Sequence, residues 1–316
     1  MFENKSYELY KGDCLEIMDE LIEQGVKVDS ILTDPPYGTI KGVENIGMEG
    51  KVEWDNKIDT HMMYNKCEKL LREGGSLILF SQDPYTIELI NNQHKNMPFS
   101  YRMIWEKDHF ANSLISKKAP VNYFEDINVF FRKYDIYNDN HLREYFKKIM
   151  DYIGIKSCKL VNEKLGHRKA EHCFYVNSTQ FKLCTKEVYS ELTEVFDLAK
   201  MRGFKTYEEL KVEEKMYSRI FNLGDKKIKS NILKYKKDYN GFHPTQKPIA
   251  LLEDLIKTYT NNNDIILDFT MGSGSTGVAC MNTNRKFIGI ELDDKYFDIA
   301  KNRIEDAYNQ IDKIEK

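Results

Sequence analysis

Buried strands and amphipathic helices alternate at both ends of this chain, and this alternation constrains the fold more than any other feature. Before residue 135, strand patterns such as VDSILTD (28–34) and SLILFS (76–81) are separated by helix patterns such as CLEIMDELIEQG (14–25). After residue 240, the helix pattern IALLEDLIKTYT is followed by the strand pattern DIILDF, and then by a further helix and strand. Strands that alternate with helices usually pair in parallel, with helices on both faces. The sequence therefore predicts an α/β fold with a mostly parallel sheet.

The middle of the chain has a different pattern. Residues 136–239 predict charged helices and no strand, and the run DKKIKSNILKYKKDYNGF (225–242) is typical of a loop. The net charge of the chain is −3, but residues 141–240 hold 22 Lys and Arg against 14 Asp and Glu. A basic middle within an acidic frame indicates a contact with nucleic acid. We therefore predict one α/β domain, built from residues 1–135 and 240–316, that is interrupted by a mainly helical insert at 136–239.

One further helix is predicted in the first part of the chain. The pattern HMMYNKCEKLLREGG (61–75) is helical, and its two final glycines predict the end of the helix.

Composition excludes several classes of protein. Hydrophobic residues make up 41% of the chain and charged residues 31%, which suits a globular protein with a sizeable core. The sequence has no apolar run long enough to cross a bilayer, and MFENKSYELY lacks the apolar segment of a secretory signal. We therefore expect a cytoplasmic protein without membrane contact. The six cysteines form no C-x-x-C pair, and the histidines and cysteines between residues 167 and 184 match no standard zinc spacing. These patterns predict reduced thiols and no metal site.

A glycine-rich turn lies between a strand and a helix in LDFTMGSGSTG (267–277). Its glycines let the backbone turn tightly and approach a ligand at the amino terminus of the helix. Asp268 ends the strand before the turn, and Glu291 ends the next strand, 17 residues after Gly274. A carboxylate at that position can accept two hydrogen bonds from ribose hydroxyls. The segment therefore predicts a site for an adenosine-containing ligand, either a dinucleotide or S-adenosylmethionine.

A second strand runs into the tetrapeptide Asp34-Pro35-Pro36-Tyr37. Two successive prolines restrict the backbone and remove two donors, so the loop is rigid and its carbonyls can face a ligand. An Asp carboxylate beside such a carbonyl forms a pair of acceptors for an NH₂ group, and Tyr37 offers a flat face to a planar ring. The chemistry that fits is methyl transfer onto an exocyclic amine, because hydrogen bonds to Asp34 and to the Pro35 carbonyl would free the nitrogen lone pair for in-line attack.

Taken together, these motifs resemble those of the amino-group DNA methyltransferases, which act on adenine N6 or cytosine N4. The catalytic motif of that family matches residues 34–37, its cofactor-binding glycine motif matches 267–277, and its ribose-binding strand and following helix match FIGIELDDKYFDIAKNRI (287–304). Three further segments are similar to family motifs: KGDCLEIM, MIWEKDHF and FHPTQKP. The catalytic motif precedes the cofactor motif, as in the β-arranged group. The resemblance implies the Rossmann-like fold of S-adenosylmethionine-dependent methyltransferases.

The resemblance also implies roles for individual residues. Catalysis would fall to Asp34, Pro35, Pro36 and Tyr37. S-adenosyl-L-methionine is the implied cofactor, and its implied binding residues are Asp13, Thr245, Lys247, Asp268, Phe269, Gly272, Gly274, Ser275, Thr276 and Glu291. Phe269 and Ser275 stand where many relatives have proline and threonine, which leaves the backbone role of the turn intact. Tyr37, Trp105 and Lys107 would border the target base.

Double-stranded DNA is the implied substrate. A base inside a duplex must leave the stack to reach Tyr37, so base flipping is implied as well. The insert is the implied target-recognition region, and residues 142–172 are consistent with a helix-turn-helix in which Arg168, Lys169 and His172 meet DNA. A basic face that is merely solvated is the alternative. A companion restriction endonuclease and a homodimer are the further partners that the family allows.

Three alternatives to adenine methylation stay open at this point. Asp rather than Ser at position 34 favours adenine N6, and cytosine N4 is the nearest alternative. Methyl transfer to RNA or to a protein amide is disfavoured, since relatives with that activity carry N-P-P-Y. A DNA-binding protein with a vestigial core is the non-enzymatic alternative, against which the intact Asp34, Tyr37 and Glu291 argue.

Overall fold

The computed structural model describes residues 2, 5–38, 56–111, 116–132, 141–178, 180–217, 219–239 and 246–315. The chain forms two compact units. The first, which we call the α/β unit, comprises residues 1–132 and 219–316, and the second, which we call the helical unit, comprises residues 133–218. Within the described ranges, no helix is long and apolar enough to cross a membrane.

The α/β unit contains eight strands and six helices among its described residues. The strands are β1 (Tyr7–Lys11), β2 (Val28–Thr33), β3 (Leu71–Ser81), β4 (Phe99–Ala111), β5 (Asn122–Phe131), β6 (Ile232–Lys234), β7 (Ile265–Asp268) and β8 (Lys286–Glu291). The helices are α1 (Cys14–Glu23), α2 (Thr60–Leu70), α3 (Tyr85–Asn91), α8 (Ile249–Tyr259), α9 (Ser275–Asn282) and α10 (Asp294–Glu315), the numbers α4 to α7 belonging to the helical unit.

All eight strands form one sheet, in the order β1-β8-β7-β2-β3-β5-β4-β6. Neighbours from β1 to β3 run parallel, β5 is antiparallel to both β3 and β4, and β6 is again parallel to β4. Because carboxyl ends of parallel strands meet at one edge of a sheet, the loops after β1, β8, β7 and β2 are neighbours. This edge is where ligands bind in sheets of this kind.

Helices cover both faces of the sheet. Adjacent residues of β2 point to opposite faces, so Ile31 packs in one core with residues of α1 and α2, whereas Leu32 packs in another with residues of α8, α9 and α10. Both side chains are essentially buried. The predicted α/β fold, with a mostly parallel sheet between two helical layers, is therefore confirmed.

The helical unit has a core of its own. It contains α4 (His141–Ile153), α5 (Lys159–Leu165), α6 (Lys186–Val195) and α7 (Tyr207–Tyr217), with short 3₁₀ turns between them. The fully buried side chains of Phe146, Ile149, Val161 and Leu192 lie in this core. The turn after α4 is made at Gly154, whose φ of +76° is readily adopted only without a side chain.

Helix α2 is shorter than its sequence pattern predicts. It ends at Leu70, and β3 begins at Leu71, so the two glycines lie inside a strand rather than at a helix stop. The reason is tertiary. A Cβ on Gly75 would stand 2.9 Å from the carbonyl oxygens of Asp29 and Arg72, so only glycine lets the backbones approach there.

The sequence also predicts no strand between 136 and 239, and this prediction is wrong at β6. Ile232 of β6 pairs with Ile104 of β4, and Leu233 is buried against the sheet core. Three residues among lysines show too little alternation to predict a strand, so pairing with β4 decides the structure. Residues 219–239, which we call the basic segment, consequently belong to the α/β unit, which resumes at residue 219 rather than at 240.

Candidate active site

The proline loop and the glycine turn are joined by hydrogen bonds. They follow the neighbouring strands β2 and β7, in which Ile31 lies beside Leu267. The Thr33 hydroxyl donates to Asp268 Oδ1 at 2.7 Å and lies 2.6 Å from the Thr270 hydroxyl. Thr270 Oγ1 in turn donates to the backbone oxygen of Asp34 at 3.2 Å. Two segments more than 230 residues apart in sequence therefore form one site.

The glycine turn approaches α10 closely and leaves an open face. Gly274 has a φ of +80°, and a Cβ there would stand 2.9 Å from Cα of Ala300 in α10. No heavy atom lies within 4 Å of the position that a Cβ on Gly272 would take. Phe269, Ser275 and Thr276 are buried, and Thr276 hydrogen-bonds to Asp268. Their contact with the cofactor stays a prediction. The open backbone at Gly272 is the surface that a nucleoside can approach.

Glu291 organises the edge of this turn. Its Oε2 accepts a hydrogen bond from Gly272 N at 2.8 Å, and its Oε1 accepts one from Asp293 N at 2.8 Å. Each carboxylate oxygen keeps a second lone pair, so the pair of acceptors predicted for a ribose is present beside Gly272. Burial raises the pKa of Glu291, and the backbone donors at Asp293 and Gly272 oppose that rise.

Asp13 lies on the neighbouring strand end. Lys11 of β1 pairs with Glu291 of β8, and the backbone oxygen of Glu291 accepts a hydrogen bond from Gly12 N at 3.0 Å. The Asp13 carboxylate caps α1 by accepting from Leu15 N at 2.8 Å and Glu16 N at 3.2 Å. Acidic residues thus stand at the carboxyl ends of four adjacent parallel strands: Asp13, Glu291, Asp268 and Asp34.

Burial raises the pKa of Asp268 to about 6. Hydrogen bonds from Thr276, Thr33 and Thr270 N stabilise its ionised form and limit that rise. Asp268 therefore fixes the relative positions of the proline loop and the glycine turn, because it accepts hydrogen bonds from both.

Both carboxylate oxygens of Asp34 are hydrogen-bonded. Oδ1 accepts from the Tyr37 hydroxyl at 2.6 Å, and Oδ2 accepts from the Lys247 ammonium. The Tyr37 ring lies against Tyr85, with centroids 5.6 Å apart and planes at 30°. Burial is the largest influence on the pKa of Asp34 and raises it, while the Lys247 ammonium opposes that rise. Lys247, predicted as a cofactor residue, is thus placed by the structure on the carboxylate of Asp34, which the sequence predicts to be catalytic.

Two more charged side chains continue this contact. Glu125, in β5, lies with Oε2 3.2 Å from Lys247 Nζ and with Oε1 2.5 Å from Lys107 Nζ. The side chains of Lys107, Lys247 and Glu125 are only 2%, 6% and 11% exposed. Glu125 was not among the residues predicted from sequence. The available signal was the acid pair Glu125 and Asp126 in NYFEDINVFF, a strand that is buried from Glu125 onward.

Trp105 and Lys107, predicted to border the target base, are both buried in this structure. Trp105 is 1% exposed, and its indole nitrogen donates to the backbone oxygen of Tyr235 at 2.7 Å. Its ring therefore anchors the basic segment to β4. Strand β4 alternates its side chains, and both residues occupy positions on the covered face. That Trp105 and Lys107 border the target base stays a prediction.

The helix-turn-helix residues lie beyond the predicted second helix. Helix α5 ends at Leu165, whereas Arg168 and Lys169 are in the following turn and His172 is in a 3₁₀ turn, Glu171–Phe174. Arg168 Nε donates to Glu171 at 2.7 Å, and His172 Nδ1 is 3.0 Å from the backbone oxygen of Gln180. The three residues therefore do not project from a recognition helix, since the chain leaves helical conformation before reaching them.

Thr245 lies outside the described residues, as does most of the FHPTQKP segment. The residue after it, Gln246, accepts a hydrogen bond from the Ser273 hydroxyl at 3.4 Å. The described end of this segment therefore contacts the glycine turn. Among the described residues there is no cluster of His, Cys, Asp and Glu that could hold a metal ion.

Comparison with known proteins identifies a family. The model of a family described as DNA methylase, the N6/N4 methyltransferases, matches residues 28–302. M.HinfI, a type II methyltransferase of Haemophilus influenzae, is 32% identical over 327 residues, which cover 97% of this chain and 70% of that protein. The DNA adenine methyltransferase YhdJ of Escherichia coli K12 is 24% identical, with coverages of 97% and 85%. By contrast, the 42% identity to M.HpaI of Haemophilus parainfluenzae extends over 74 residues, and the match spans about a quarter of that relative.

A solved structure shares the fold. The M1.HpyAVI–SAM complex superposes with a TM-score of 0.54 at 22% identity, covering 94% of this chain and 98% of that one. The open backbone at Gly272 and the carboxylate of Glu291 fit the nucleoside of such a cofactor. Because the family model matches residues 28–302, which are most of the chain and include both the proline loop and the glycine turn, the chain belongs to the N6/N4 DNA methylase family, whose cofactor is S-adenosylmethionine.

Proposed function

We propose that this protein is a DNA methyltransferase that methylates the N6 amine of adenine in duplex DNA, with S-adenosylmethionine as methyl donor. One observation carries this proposal. The Asp34 loop is hydrogen-bonded to the glycine turn through Thr270 and Thr33, so an amine held by the first lies beside a nucleoside held by the second. Close and fixed placement of two reactants supplies much of the rate enhancement of a transfer reaction.

The residues of the proline loop would act as acceptors. Asp34 and the carbonyl of Pro35 would accept the two N–H groups of the target amine, which withdraws the nitrogen lone pair from the ring and aims it at the methyl carbon. The cofactor supplies an electrophilic methyl group on a sulfonium, whose sulfur takes the electron pair of the broken bond. Tyr37 would stack on the extruded base, and its hydroxyl holds Asp34 in place.

Adenine is the proposed target base rather than cytosine. Asp34 stands where an acid favours adenine N6 in the resemblance, and YhdJ, named a DNA adenine methyltransferase, aligns with 97% of this chain. N4 methylation of cytosine is the second candidate, since the matching family includes both chemistries. Relatives named type II methyltransferases support a restriction–modification context and a companion endonuclease that cuts the unmethylated site.

The experiment that tests the function uses tritiated cofactor and duplex DNA of mixed sequence. After incubation, the DNA is digested to nucleosides and separated by chromatography. We expect the label in N6-methyldeoxyadenosine. Label in N4-methyldeoxycytidine would establish the second candidate, and no label in DNA, from protein that binds the cofactor normally, would refute both. Methylation-sensitive sequencing of DNA from expressing cells would then give the recognition site.

The excess of basic over acidic residues in the middle of the chain lies mainly in the basic segment. Residues 219–239 hold seven Lys and Arg against two Asp, whereas residues 133–218 hold 16 against 14. Lys226, Lys227 and Lys236 are exposed. The segment is tied to β4 by the β6 pairing and by the bond from Trp105 to Tyr235. We propose that it contacts the phosphate backbone, a role that the sequence pattern assigns to the insert as a whole.

A charge-neutralised variant tests this assignment. We expect Lys226→Gln/Lys227→Gln/Lys236→Gln to weaken DNA binding and to lower the slope of log K against log salt by up to about 3, since each phosphate contact contributes about 0.9. Cofactor affinity should be unchanged. The matched control neutralises three exposed lysines elsewhere in the α/β unit, Lys69, Lys95 and Lys301, and should leave the slope as it is. Equal slopes for both triple variants would contradict the assignment.

A further inference from the structure

Four charged side chains of alternating sign form a chain that begins at the catalytic loop. Asp34 accepts from Lys247, Lys247 lies 3.2 Å from Glu125, and Glu125 lies 2.5 Å from Lys107. They come from four separate parts of the sequence: the loop after β2, the segment before α8, strand β5 and strand β4. Asp34 is the most exposed member, with 25% of its side chain accessible, and the other three are almost fully buried.

Burying four charged side chains costs free energy, so the arrangement calls for an explanation beyond the stability of the fold. Moving a charge from water into a protein interior is unfavourable, and attraction to a close partner of opposite charge offsets that cost only in part. One carboxylate would be enough to neutralise Lys247, yet two carboxylates, those of Asp34 and Glu125, contact it. The second acid has its own counter-charge in Lys107, whose ammonium also lies 5.3 Å from the Trp105 ring centroid. With all four side chains ionised, the two positive and two negative charges balance.

That Glu125 shares Lys247 with Asp34 matters because Asp34 must accept a hydrogen bond from the target amine. To accept a strong hydrogen bond from an amine, Asp34 must be ionised and must have an oxygen available to the amine. Burial acts against the first condition, and a Lys247 bound to Asp34 alone would act against the second, because its ammonium is a strong competing donor. Glu125 is placed to relieve that competition, since it offers Lys247 a second carboxylate 3.2 Å away.

We propose that Lys247 and Glu125 are positioning residues for Asp34: Lys247 keeps the carboxylate ionised, and Glu125, held by Lys107, draws Lys247 aside when the target amine arrives. This inference rests on the proposed function. It assigns Lys247 to the proline loop and gives Glu125, a buried acid of β5, a place in the reaction. No proton or electron is transferred in this step, only a hydrogen bond of the lysine from one carboxylate to the other.

Other titratable groups also face Asp34. Tyr37 donates to it, Tyr85 and Asp268 lie close enough to interact electrostatically, and Glu125 opposes its ionisation at longer range. Burial together with Asp34 raises the pKa of Tyr37 well above its ordinary value, and burial raises the pKa of Tyr85 as well. Both tyrosines are therefore neutral over the pH range of an activity assay. Lys247 and Glu125 remain the charges whose removal changes Asp34 most.

The two positioning residues make opposite predictions for the pH profile. Without the Lys247 ammonium, the pKa of Asp34 rises. As the pH is lowered, Asp34 therefore becomes protonated at a higher pH than in the unchanged protein. Without the Glu125 charge, Lys247 is left to Asp34 alone, so the pKa of Asp34 falls and its ionised form persists to lower pH. In that second case the lysine also competes fully with the amine, which lowers the rate at every pH.

The experiment measures kcat for methyl transfer between pH 5.5 and 8.5 in the full chain. For Lys247→Met we expect the ratio of kcat at pH 6 to kcat at pH 8.5 to fall about tenfold below that of the unchanged protein. For Glu125→Gln we expect kcat at pH 8.5 to fall about tenfold, with a ratio equal to or above that of the unchanged protein. Lys247→Arg, which keeps the charge, should restore the ratio.

Controls separate this role from a structural one. Cofactor affinity and melting temperature report whether each variant folds. Glu106→Gln removes one partner of the exposed pair with Lys234, 3.1 Å apart on the same sheet, and should leave the profile unchanged. A Lys247→Met ratio that does not fall, a Glu125→Gln ratio that falls, or an unchanged kcat of Glu125→Gln at pH 8.5 would overturn the inference. If the unchanged protein transfers no methyl group to DNA, the proposed function fails instead.

Discussion

Replacing Asp34 by alanine is expected to lower kcat for methyl transfer about 1,000-fold, the size of effect seen when a directional charge-assisted acceptor or donor is lost from a reacting centre. The variant removes the carboxylate that would grip the amine. It should still fold, because Lys247 keeps Glu125 as a partner 3.2 Å away. Cofactor affinity should stay within about twofold of the unchanged protein, since Asp34 contacts the glycine turn through its backbone oxygen, which alanine retains.

Tyr37→Phe is the matched control for this prediction. It removes one hydrogen bond of 2.6 Å to Asp34 and keeps the aromatic ring beside Tyr85. A loss of about tenfold in kcat is expected, in line with one hydrogen bond to a charged group. Single-turnover measurements with tritiated cofactor give both rates. An Asp34→Ala variant that retains a tenth of the activity or more would rule out the amine clamp as the source of catalysis.

Replacing Glu291 by alanine is the second change with a large expected effect, and here the loss is in cofactor binding. Two hydrogen bonds from ribose hydroxyls to a carboxylate contribute enough that affinity for S-adenosylmethionine should fall about 100-fold. The side chain also holds Gly272 N and Asp293 N, each at 2.8 Å, so its loss would loosen the turn that faces the cofactor. Isothermal calorimetry with the cofactor alone measures the change.

The comparison variant for Glu291 is Glu305→Gln, which removes a carboxylate from α10 where it pairs with Lys5 on the surface. It should leave cofactor affinity unchanged. DNA affinity should be almost unaffected in both variants, because neither residue belongs to the basic segment. A Glu291→Ala variant that binds the cofactor normally but fails to bind DNA would reverse the assignment of this edge of the sheet.

Since burial raises the pKa of Glu291, cofactor affinity should also weaken as the pH falls and the carboxylate becomes protonated.

Most of the fold could be predicted because its signals are local. The alternation around β2, β7 and β8 follows from runs of buried residues closed by turn residues, and the structure has these strands where the patterns predict them. The glycine and proline motifs are likewise local, since a tight turn or a rigid loop depends on the backbone of a few successive residues. The end of α2 and the strand β6 were missed because both depend on a neighbouring strand, β2 in the first case and β4 in the second.

The candidate site divides in the same way. The sequence by itself determined which residues could grip an amine and which could approach a nucleoside, because Asp34, the two prolines, the glycines and Glu291 carry that chemistry in their own types and spacing. Only the tertiary structure decided that Lys247 lies on Asp34 and that Glu125 shares it, residues separated by up to 213 positions in the chain. An ion pair between distant residues leaves no periodic or spacing pattern, since its geometry exists only after the strands and loops that carry the charges have packed together.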